Sequence, residues 1–144
     1  MSNRFLAYIV YPKPLTTSQP PFPSLYWPFP VNGPQFVYLY DSEPMWRFTL
    51  YWTLICVGGV HLVAALYALA IQRRNWKLVG GVVLPLYVVI GAIEALIAGN
   101  VVGGLLSAIY VAGYFRMSTW IPLTWGITNA LVLITSSFAI QGGL

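Results

Sequence analysis

Charge is what this chain has least of. Only 7% of its residues are charged, seven Lys and Arg against three Asp and Glu, where a globular domain carries about 25%. So few ionic groups cannot cover a water-soluble fold of 144 residues. A soluble enzyme and a disordered linker are therefore excluded, and the few scattered cations exclude a nucleic-acid binder. Cysteine is nearly absent as well. Cys56 stands alone in an apolar run, so there is no disulfide framework and the thiol reads as a small buried hydrophobe.

Catalytic and metal-binding sets are missing too. One His, one Cys and three carboxylates cannot build a structural His/Cys metal cluster. No glycine loop leads into Lys-Ser/Thr, so there is no Walker phosphate site. No Ser-His-Asp set assembles, since Asp41 falls outside the membrane and His61 inside it. No Asn-x-Ser/Thr acceptor or lipidation box occurs. The apolar run 4–11 is short and closed by Pro12 and Pro14, so no cleaved signal is expected. Neither catalytic residues, nor a metal, nor a cofactor is assigned.

What is abundant is apolar surface, at 58% of residues, and it must meet lipid. The expected fold is an all-α integral membrane protein in two parts. Residues 1–46 hold nine of the eleven prolines (Pro12, Pro14, Pro20, Pro21, Pro23, Pro28, Pro30, Pro34 and Pro44). Proline fixes φ and removes a donor, so no regular helix is expected there. The same stretch is rich in aromatics such as Phe22, Tyr26, Trp27, Tyr38 and Trp46. It reads as an extended segment lying on the membrane interface or on a partner.

Residues 47–144 form the helical domain. Phe48–Ile71 is uncharged and about 36 Å long as a helix, enough to cross a core of about 30 Å with some tilt. Trp120–Ile140 is a second clear span, with Pro122 tolerated in its first turn. Val79–Phe115 carries one charge, Glu94, and at about 55 Å is too long for one straight crossing. Broken near Ala98-Gly99-Asn100, it gives spans of about 79–97 and 101–115 and a bundle of four. Unbroken, it gives three. Length and the position of Arg116 favour four. The basic loop Arg73, Arg74 and Lys77 belongs in the cytosol, where it can meet anionic headgroups, and the N-terminal segment then faces the lumen. Trp27, Trp46, Trp52 and Trp120 are expected at the interfaces.

Small residues recur every fourth position at Gly91, Ala95, Gly99, Gly103 and Ser107, a spacing that brings helix backbones close, within the chain or against a partner. A second row is Gly104, Ala108 and Ala112. Glu94 must be paired, protonated or turned to protein or water, since a charge at membrane depth costs about 2.5–3.5 kcal/mol. A hairpin about residues 74–77 brings His61 to a comparable depth. The two can form a register-fixing hydrogen bond or part of a proton path. Expected partners are other integral membrane proteins and membrane lipids.

The run Met45-Trp46-Arg47-Phe48-Thr49-Leu50-Tyr51-Trp52-Thr53-Leu54, with His61, Ala64 and Arg73-Arg74, resembles the transmembrane protein 170 family. So do Ser107-Ala108-Ile109-Tyr110 and the stretch Gly113-Tyr114-Phe115-Arg116-Met117-Ser118-Thr119-Trp120-Ile121-Pro122, and the latter half is similar to the fungal branch. The resemblance covers about residues 36–140. It implies a small multi-spanning protein of the endoplasmic reticulum and nuclear envelope, linked to the shaping of those membranes, without known enzymatic activity. It also implies three spans. Animal members carry Gly-x-Gly-Gln-Thr in the last span, where this chain has Trp125-Gly126-Ile127-Thr128-Asn129. Three functions follow as expectations: a structural or accessory subunit packed on larger partners through the Gly91–Ser107 row, an autonomous membrane-shaping protein, and a small proton-coupled transporter using His61 and Glu94.

Overall fold

The computed structural model describes residues 18–27 and 37–141. The apolar run 4–11 and Pro12, Pro14, Pro28, Pro30 and Pro34 lie outside them. Among the described residues, three helices are long and apolar enough to cross a membrane. A short strand, β1 (Tyr38–Leu39), leads into α1 (Ser42–Ile71). After a tight turn at Arg73–Asn75, helical structure resumes at Trp76 and continues into α2 (Leu84–Ala112). A second short strand, β2 (Met117–Ser118), precedes α3 (Trp120–Gln141).

The break expected in the middle segment is not found. Helix α2 runs unbroken through Ala98, Gly99 and Asn100, so the middle segment is one helical run, one of three helices long enough to cross. In hydrocarbon a freed backbone N–H finds no water, so a glycine there stays in the helix. The irregularity falls elsewhere. Val79–Val83 is a wider π turn containing Gly80 and Gly81, directly before Pro85. A proline ring crowds the carbonyl four residues earlier and supplies no N–H, and local widening of the helix relieves both. The first helix also begins earlier than expected. It starts at Ser42 with Pro44 in its first turn, where the missing N–H would lack a helical partner anyway.

Helix α1 lies between α2 and α3, which scarcely touch each other. Two clusters of buried side chains follow from this. Leu39, Met45, Phe48, Leu106 and Met117 pack at the end where the strands lie, and Val57, Ala95 and Ala130 pack further along. Only 11% of the most apolar window of α1 and of the second helical run is buried inside the chain, so most of their apolar surface faces outward, as lipid requires.

The strands pair antiparallel, Tyr38 with Ser118 and Leu39 with Met117. Residues 18–27 join them to form a cap over that end of the bundle. Tyr26 and Ser118 share a hydroxyl hydrogen bond of 2.8 Å. Thr119 donates to the Ser24 carbonyl, and the Trp120 indole to the Tyr26 carbonyl, each at 2.9 Å. Phe22 stands edge-on to Phe48 and Tyr51 and tilted on Trp52, with ring centroids 5.2–5.4 Å apart. The described part of the N-terminal segment therefore docks on the chain's own helix ends.

Candidate functional site

The divergence of α2 and α3 opens a half-enclosed cleft of about 240 Å³ floored by α1. Val57, His61 and Ala64 line it from α1, Tyr87 and Glu94 from α2, and Ala130, Ile134 and Phe138 from α3. Its walls are mainly apolar, and its ionisable groups are brought together. His61 Nε2 lies 3.3 Å from Glu94 Oε2, and His61 Nδ1 lies 3.0 Å from the Val57 carbonyl oxygen. A carbonyl only accepts, so Nδ1 carries a proton and donates it. His61 lies about 22 Å along the helix from Trp46, inside a hydrocarbon core of about 30 Å.

The small-residue row makes this pair possible. Gly91, Ala95, Gly99, Gly103 and Ser107 are all buried, and the row faces α1. A Cβ at Gly91 would fall 2.6 Å from His61 Cγ, so the missing side chain is the space the imidazole occupies. At Gly99 it would meet Leu50 and Thr53, and at Gly103 the Trp46 backbone and ring. Of the two surfaces expected for this row, its own chain or a partner, the row lies on its own chain, covered by α1. The second row differs. Nothing lies within 4 Å of a Cβ at Gly104, and Ala108 and Ala112 are exposed.

The aromatic and basic residues divide by role. Trp46 donates to Asn100 Oδ1 at 3.1 Å, which ties α1 to α2. Trp120 belongs to the cap, and Trp27 is 75% exposed. Trp52 lies against the cap. Its ring meets Phe22, and its backbone and Cβ fill the space left by Gly126. Arg73, Arg74 and Lys77 are exposed at the far turn. Arg116 stacks over Tyr38, 4.1 Å from the ring centroid, at the cap end and opposite the basic turn.

Asn129 was expected to bond between helices, but its partner, and the role of Gly126, were not readable from the sequence. Asn129 Nδ2 donates to Thr53 Oγ1 at 3.0 Å, and Thr53 in turn donates to the Thr49 carbonyl at 2.8 Å. This bond and the close approach at Gly126 seat α3 on α1. Only the polar character of Asn129 signalled the first, and a lone glycine in a membrane helix signals nothing specific. Among the described residues, no group of His, Cys, Asp and Glu is placed to hold a metal ion.

An uncharacterized protein of Saccharomyces cerevisiae, YPR153W, is 37% identical over 126 residues, covering 87% of this chain and 88% of the yeast protein. No solved structure matches. Residues 38–144, from the first strand of the cap through all three helices, match the Transmembrane protein 170A/B-like family, and with the apolar helices and the yeast relative this places the chain in that family as a multi-pass membrane protein.

Proposed function

We propose that the protein is a non-enzymatic structural or accessory subunit of a larger assembly in the endoplasmic reticulum and nuclear-envelope membrane, with its cap in the lumen. One observation carries this reading. Helix α2 uses a single stripe against its own chain and leaves its other faces apolar and open. Gly104, Ala108 and Ala112 on that open side let another membrane helix approach closely. The location rests on the family's usual membranes, and the orientation on the basic turn, which belongs in the cytosol.

Purification from native membranes in mild detergent, with mass spectrometry of co-eluting proteins, tests the reading. A stoichiometric integral membrane partner is expected. Gly104→Leu with Ala108→Leu should release it by filling the approach. Recovery of a clean monomer or homo-oligomer would overturn the proposal.

The length of the second helical run favours a second reading, membrane shaping by the chain alone. Arg73–Ala112 contains 40 residues, about 60 Å of helix against a core of about 30 Å. Such mismatch tilts the helix or deforms the bilayer. Liposomes whose shape is indifferent to protein density would remove this reading. A proton-transport role is weaker, because among the described residues the His61–Glu94 pair makes no side-chain hydrogen bond onward to either face. Full cellular function of Glu94→Gln would remove it.

A further inference from the structure

We propose that the cleft between α2 and α3 binds the hydroxyl end of a neutral membrane lipid, with Glu94 Oε1 as acceptor. This needs no partner protein and so stands apart from the subunit reading. His61 engages Oε2, and the other carboxyl oxygen has no protein partner among the described residues. The Glu94 side chain is 39% exposed, and it faces a mainly apolar cleft whose own hydroxyls are those of Tyr87 and Ser137, the latter donating to the Leu133 carbonyl. Hydrocarbon offers no hydrogen-bond donor there, and an unsatisfied polar group is costly.

The chemistry selects the donor. A phosphate is repelled by the open lone pairs of the carboxyl. A hydroxyl donates one proton to Oε1, and the apolar body behind it lies along Val60, Leu133 and Phe138. A cleft of about 240 Å³, open on one side, takes the end of a lipid and leaves the rest in the bilayer. Sterols and diacylglycerols share this chemistry.

The test uses the full chain in phosphatidylcholine nanodiscs with diazirine-bearing analogues of a sterol and of diacylglycerol, each paired with its O-methyl ether. The hydroxyl form should label peptides containing Val60–Ala64 and Leu133–Phe138. The ether should label them about tenfold less, the factor expected for one lost hydrogen bond. Glu94→Leu should lower labelling by about the same factor. Ala64→Phe, which fills the cleft beside an intact pair, should abolish it. Preference for one probe identifies the lipid class. Equal labelling by alcohol and ether, labelling unchanged in Ala64→Phe, or no labelling at the cleft by either probe would each overturn the proposal. So would p-benzoyl-phenylalanine at position 138 that captures polypeptide instead of lipid. Should Glu94→Leu fail to fold, the ether comparison on the unaltered protein still decides.

Discussion

Two glycines in one helix separate what a missing side chain does. Gly91 leaves room for the His61 ring, whereas Gly104 faces open space. Gly91→Ala should therefore destabilise the protein by about 1–3 kcal/mol, the usual range for overpacking. Gly104→Ala should be neutral or slightly stabilising, since alanine is the better helix former. Thermal unfolding of both variants in the same detergent checks this, and equal losses would show that position 91 is not shape-limited. The pair next to Gly91 allows a similar contrast. Glu94→Gln keeps a donor for His61 Nε2 and should retain stability, whereas Glu94→Ala should lose about 1 kcal/mol. His61 and Glu94 were legible in the sequence because polar residues are scarce in the spans and a hairpin aligns their depths. The role of Gly91 was legible only as a spacing, since nothing in a four-residue repeat says which side chain fills the gap.

Among the elements, α2 shows where pattern reading stops. Gly99 belongs to a close-packing row and also looks like a break, and the same letters support both. The deciding physics is not local: α1 packs at this position through Leu50 and Thr53, and the helix continues. The end of α2 is sharper. The Phe115 N–H reaches the Tyr110 carbonyl at 2.9 Å and the Tyr114 N–H the Val111 carbonyl at 3.1 Å, the pairing of a Schellman cap. The left-handed position is filled by Tyr114, with φ 56°, and not by its neighbour Gly113. A tyrosine there costs about 1 kcal/mol that glycine avoids. Tyr114→Gly should raise the unfolding temperature and Tyr114→Ala should not; a gain from alanine would point to the exposed ring instead. The cap has its own weak point. Trp120→Phe removes the N–H that holds the Tyr26 carbonyl and should increase hydrogen exchange across residues 18–27 while leaving α1 and α2 protected.

Across the whole molecule, three crossings put Arg116 and the basic turn at opposite ends. In a Cys56→Ala background, cysteines introduced at Asn75 and at Phe115 should react with a membrane-impermeant maleimide from opposite sides of sealed microsomes. Reaction from the same side would restore an even number of crossings between them. The charge argument erred here because it treated Arg116 as a free cation seeking the cytosol, whereas Tyr38 covers its guanidinium. The pairing responsible is distant in sequence and invisible to a window-based reading. The cap also bears on biosynthesis. Its N-terminal residues bond to Ser118, Thr119 and Trp120, which leave the ribosome only as the final helix begins. Until then Ser24, Tyr26 and the first strand have none of these partners, and the segment waits unpaired while both earlier helices insert. Closure of the cap therefore records that the second helix has crossed in the right direction, and a nascent chain halted before residue 117 presents an open aromatic strand to the quality-control machinery of its compartment.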